Sequence, residues 1–144
     1  MSSKSEEWIA RSATAFCVAS RWLSCPSLAL AALALVRLYV FPPVSMTSAA
    51  LLSAAVAAGS VQAYLAVRIE FDRNVFEAFA ACTEGSTAAA AGFDQAMESL
   101  GMLRKGKAGR PLAERARGAL FLVKGTGWLL ALQIALAIAA SWTP

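Results

Sequence analysis

Uncharged runs divide this chain into segments before any single residue type is considered. Residues 22–36 carry no charge, and continuing through 41 gives about the 20 residues that a helix needs to cross roughly 30 Å of hydrocarbon. No charge falls between Arg37 and Arg68, and none follows Lys124. The pattern predicts transmembrane helices over 22–41, 44–67 and about 119–142, the last inside a long third helix over 111–144. Residues 41–45 hold two prolines and leave room only for a tight turn between the first two spans. A cleaved signal peptide fits the first run poorly. The segment before it is long and carries Glu6 and Glu7, and Arg37 follows where a small-residue cleavage site would stand.

Between the second and third spans the period changes. Over 68–82, Phe71, Val75, Phe79 and Cys82 share one helical face, while Glu70, Arg73, Asn74 and Glu77 take the other. Nothing separates this amphipathic stretch from the second span, so one unbroken helix is expected. Residues 83–87 punctuate it, with Gly85 as the breaker and Ser86 and Thr87 as candidate caps. A second amphipathic helix is predicted over about 88–103, with Phe93, Met97 and Leu100 facing inward and Asp94, Gln95, Glu98 and Ser99 facing water. Together these make a cytoplasmic helical hairpin and basic turn over 68–110, with Pro111 suited to the first position of the third long helix. The first 21 residues read as a cytoplasmic, interfacial helix bearing Trp8, Ile9, Phe16 and Val18. The fold class expected is therefore an all-α integral membrane protein: three transmembrane helices with an amphipathic hairpin between the second and third.

Composition agrees with lipid as the solvent. Of 144 residues, 58% are hydrophobic and 15% charged, with a mean hydropathy of +0.58; soluble domains carry nearer to 25% charge. The net charge of +4 is unevenly placed. Arg68, Arg73, Arg104, Lys105, Lys107, Arg110, Arg115 and Arg117 crowd the segment between the second and third spans, and Lys4, Arg11 and Arg21 precede the first. The turn between the first two spans has no charge. The distribution puts the N-terminus and the long loop in the cytoplasm and the C-terminus outside. Trp22 and Tyr64 would then anchor the inner boundary, and Tyr39 and Trp142 the outer one. An alanine-rich protein of this plan suits a bacterial inner membrane.

Candidate chemistry is sparse. Histidine is absent, which removes His-ligated metal sites and every nucleophile that needs an imidazole base. Cys17, Cys25 and Cys82 form no C-x-x-C pair and read as small buried hydrophobes. Residues 101–108 come close to a phosphate-binding loop, but Ala108 lacks the hydroxyl that would meet Mg²⁺, and a helix precedes them where a strand is required. No cofactor, no metal, no catalytic group and no nucleic-acid partner is expected. The residues expected to meet lipid or protein are charged ones. Arg104, Lys105, Lys107 and Arg110 suit anionic headgroups, each contributing on the order of 1 kcal/mol near such a leaflet. Arg37 and Lys124 are the only charges within the predicted spans, each near enough to a boundary to snorkel. Arg68 and Asp72 stand i, i+4 and suit either an internal pair or a contact to another chain. Asp94 and Glu98 are candidate contacts on the hairpin's polar face.

Small residues recur at intervals of four, at Ala49, Ser53 and Ala57 and again at Ala131, Ala135 and Ala139. Such stripes let helix backbones approach closely. One is accounted for by packing within the chain, and the other is left for a second molecule. No polar stripe is evident along the spans, and no carboxylate lies within them, which weighs against a proton-coupled carrier. The function expected is that of a non-catalytic accessory or scaffold subunit, joined to another integral membrane protein or to itself. The alternative is a subunit of an oligomeric, holin-like pore or small transporter.

Overall fold

The computed structural model describes residues 3–41, 45–83, 85–103, 106 and 108–143. These residues form five helices: α1 (Ser3–Ala19), α2 (Arg21–Val40), α3 (Met46–Ala81), α4 (Ser86–Ser99) and α5 (Leu112–Trp142). No strand occurs among them. Three helical stretches, Lys4–Val40, Met46–Ala81 and Leu112–Trp142, are long and apolar enough to cross a membrane. An integral membrane protein is compatible with them.

The helix ends follow local chemistry. Only Ser20 separates α1 from α2, and its carbonyl accepts Leu23 N–H at 3.0 Å and Ser24 N–H at 3.1 Å, which starts the ladder of α2. Ser45 caps α3 by accepting Ser48 N–H on its hydroxyl at 3.2 Å. Beyond the end of α3, Gly85 takes φ +97°, a backbone conformation that a Cβ would strain. Ser86 then turns its hydroxyl back to Phe79 O at 3.2 Å, where the sequence reading had it as an N-terminal cap. Pro111 sits one residue before α5, and its carbonyl accepts Glu114 N–H at 3.0 Å.

The chain divides into two compact units. The first joins residues 1–18 to 70–121. Here α1 buries Ala10, Ala13 and Cys17, while Trp8, Phe16 and Val18 stay exposed. Small residues thus form its packing face, and the bulky ones named from the sequence point outward. On this part of α3 the buried aromatics are Phe76 and Phe79, set edge to face at 6.2 Å. Phe93 of α4 lies 5.8 Å from Phe79 and 6.4 Å from Phe71. Two expectations change here. Phe76, unassigned in the sequence reading, is buried, whereas Phe71 is exposed. The buried face of α4 is Ser86, Ala90 and Asp94, while Leu100 is 66% exposed at the helix end.

The second unit joins residues 19–69 to 122–144. Its apolar core gathers Ala34, Leu52, Ala55 and Ala140, with Leu38, Leu51, Val56 and Leu136 packed around them. Contacts fix the helix directions. Gln133 meets Ala55 and Ser48 meets Ala140, so α5 ascends as α3 descends. Helices α2 and α3 approach closely at Gly59, where a Cβ would collide with Ala31 Cβ and lie 2.9 Å from Gln133 Nε2. Both small-residue stripes lie away from this core. Ser53, Ala57, Ala131, Ala135 and Ala139 are exposed and Ala49 is half-buried, so packing within the unit accounts for neither stripe.

Candidate functional site

The second unit buries several polar side chains, contrary to the expectation that no polar stripe exists. Ser27, Gln62, Thr126 and Gln133 are each 0% exposed, and Ser20, Ser24 and Ser48 are also buried. Gln133 Nε2 donates to Ala55 O at 3.0 Å and Ser27 O at 3.3 Å, and Ser27 Oγ donates to Gln133 Oε1. Every polar atom of that amide is engaged across three helices. Gly59 makes the arrangement possible, since any side chain there would displace the Gln133 amide.

Thr126 precedes Gln133 by seven residues, about 10 Å of helix, and Gln62 follows by three the Gly59 that lies against Ala31 and the Gln133 amide. Thr126 Oγ1 donates to Val123 O at 2.7 Å, and Ser24 Oγ donates to Ser20 O at 3.2 Å. Neither side-chain polar atom of Gln62 has a hydrogen-bond partner among the described residues. Burying such an amide unpaired costs roughly 2–7 kcal/mol, depending on the reference state. Trp22, Tyr64 and Trp128 are exposed, as are Arg21 and Lys124. Around Leu52 and Ala140 the interior is mainly apolar, with buried Ser48 donating to Ala140 O at 3.4 Å.

Amides and hydroxyls at these positions donate and accept hydrogen bonds without titrating near neutral pH. These groups are therefore suited to holding helices together, not to acid–base chemistry. The sequence reading missed Gln62, Thr126 and Gln133. The signal was present, because Gln62 and Gln133 are the two amides within the uncharged runs and Thr126 and Gln133 are spaced for one helix face.

The first unit has its own polar centre. Asp94 is 6% exposed, and both its oxygens accept from Arg115 Nη2, at 2.6 and 2.8 Å. Gly109 N–H adds a third bond at 2.8 Å, and Arg115 Nε holds Arg110 O at 3.2 Å. Burial alone raises the Asp94 carboxyl, but the hydrogen bonds from Arg115 and Gly109, with the charge of Arg115, hold it below the usual carboxylate range. The expectation of a solvent-facing Asp94 is corrected here: its partner lies across the turn on α5, beyond the reach of a helical wheel.

The remaining sequence candidates are dispersed. Glu98 is exposed on α4. Arg110 makes a loose ion pair with Glu114 at 3.6 Å. Arg37 is exposed and donates to Phe41 O, its guanidinium 6.0 Å from the Phe41 ring centre, so it serves the end of its own helix. Lys124 and Arg68 are exposed, and Asp72 is half-buried. Arg104, Lys105 and Lys107 lie outside the described residues. No group of three or more metal-ligating side chains occurs among the described residues. No family model, no curated protein and no solved structure matches the chain.

Proposed function

We propose that this chain is a non-catalytic, three-span subunit of a bacterial inner-membrane complex, docking a larger integral membrane protein or a further copy of itself. The observation that carries this reading is the outward placement of both small-residue stripes. Ser53 and Ala57 on α3, and Ala131, Ala135 and Ala139 on α5, present close-approach surfaces that the chain's own core does not use. Leucine would serve equally well against lipid alone. Exposed Glu98 on α4 is a candidate contact for a soluble part of the partner, and Asp94, held by Arg115, leaves that role. The basic segment ending at Arg110 meets anionic headgroups on the cytoplasmic side.

The span lengths support the membrane reading. Trp22 to Tyr39, Met46 to Tyr64 and Lys124 to Trp142 each cover about 26 Å of helix, close to the hydrocarbon thickness. The apolar cluster around Leu52, Ala55 and Ala140 would close a path along the bundle, which favours a docking subunit over a pore. Purification in mild detergent from native membranes, followed by crosslinking through cysteines at 53 and 135, is the test. A stoichiometric complex trapped through either position is the expected result. Recovery of the uncrosslinked single chain would overturn the docking reading, and crosslinking only to copies of itself together with ion leakage from liposomes containing it would replace this reading with the pore.

A further inference from the structure

Within the first unit, α1 and α5 enclose a groove of about 320 Å³ whose lining is mostly apolar. Buried Ala13 and Ala116 make its floor, and Trp8 and Phe16 on α1 and Leu120 on α5 make its walls. Alanines on both helices let the backbones approach, which leaves the bulkier neighbours standing at the edges. Trp8 is 68% and Phe16 52% exposed, so that wall is largely uncovered.

The polar lining residues are Ser12 and Arg117, one from each helix, and no carboxylate lines the groove. Arg11, Arg73, Arg110 and Arg115 of this unit each pair with a carboxylate. Arg117 is exposed and has no ion pair among the described residues. An unpaired guanidinium and a hydroxyl donor between aromatic walls match an amphiphile with an anionic head. A small soluble anion would use the charge and leave the walls in water. Two turns of a partner helix about 10 Å across occupy on the order of 800 Å³, too much for the groove to enclose. A zwitterionic headgroup would bring an ammonium for which the lining offers no carboxylate.

The level along α5 fits as well. On the membrane reading, on which this inference rests, hydrocarbon begins at Lys124. Leu120 and Arg117 stand four and seven residues before it, about 6 and 10 Å along the helix. The headgroup layer is roughly 5–8 Å deep, and the long arginine stem spans the remainder. We propose that the α1–α5 groove binds an anionic phospholipid of the cytoplasmic leaflet, with its phosphate on Arg117 and Ser12 and the start of an acyl chain against Phe16 and Leu120.

Photolabelling of the full chain in bilayers tests this, using phosphatidylglycerol or phosphatidylcholine with a diazirine beside the acyl ester and mapping labelled residues by mass spectrometry. Phosphatidylglycerol is expected to label residues 12–16 and 117–120 several-fold more than phosphatidylcholine at equal mole fraction. Leu33 and Ile138, both exposed, should be labelled alike by the two probes. Arg117→Gln should remove the preference and Arg117→Lys keep most of it, with unchanged labelling at Leu33 and Ile138 showing that each variant is folded. Equal labelling of the groove by both probes, or none, overturns the site. So does loss of the preference in inorganic phosphate but not in chloride of equal ionic strength, which assigns Arg117 to a free anion. A protein trapped in place of a phospholipid by a photoreactive residue at position 12 in native membranes also overturns it. Preference at the groove without labelling at Leu33 and Ile138 keeps the lipid site and overturns the three-span reading instead.

Discussion

Asp94 and Gly59 carry consequences out of proportion to their size. Asp94 is buried with Arg115, whose side chain is 16% exposed, so removing either leaves a charge with little water to compensate it. Breaking such a pair typically costs about 3–5 kcal/mol. Asp94→Ala is expected to lower the thermal midpoint in detergent, measured by loss of helicity, more than Glu98→Ala. Acid should act in the same direction. Because the folded carboxyl ionises below its unfolded value, the stabilisation is complete above the ordinary carboxylate range and is lost as pH falls through the lower, folded value. Asp94→Asn is expected to flatten that acid limb of a melting profile, and an unchanged limb would assign it to another carboxylate. Gly109 belongs to the same centre. It takes φ +71° while donating to Asp94, so Gly109→Ala is expected to destabilise although nothing crowds it.

Among the helices, the glycines separate close approach from mere presence. An added methyl at Gly59 would collide with Ala31 and the Gln133 amide, whereas Gly125 has no neighbour within 4 Å. Gly59→Ala is expected to destabilise by about 1–3 kcal/mol through overpacking, and Gly125→Ala, half-buried but with open space for a methyl, to be neutral or mildly stabilising, because alanine favours a helix interior over glycine. Parallel unfolding curves would check the contrast. Helix extents were largely legible in the sequence, since uncharged runs and the breakers at Gly85 and Pro111 mark them directly. The unbroken α3 is one example. Which face turns inward was much less legible. Where nearly every third residue is alanine, hydrophobicity hardly varies around the helix, and the wheel chose Phe71 and Leu100 over Phe76 and Ala90. Burial there follows size and fit, because small residues let helices pack closely.

For the molecule as a whole, the proposed membrane reading carries a topology, with the C-terminus outside, that can be tested directly. A C-terminal reporter active only outside the cytoplasm is expected to be active, and one active only in the cytoplasm to be silent. Cysteines at 4 and 98 should react with an impermeant reagent only from the cytoplasmic side. The buried polar groups were not legible as a cluster, because each helix contributes a serine, threonine or glutamine that looks unremarkable alone. Their meaning depends on three helices meeting at Gln133. That meeting also limits how the gene can change. Adding one codon between Ala55 and Gln62 would rotate everything beyond it by about 100° and carry the Gln62 amide from the interior toward the surface. Single-residue insertions and deletions inside the spans should therefore fail where many substitutions survive, and length variation should collect in the connecting turns.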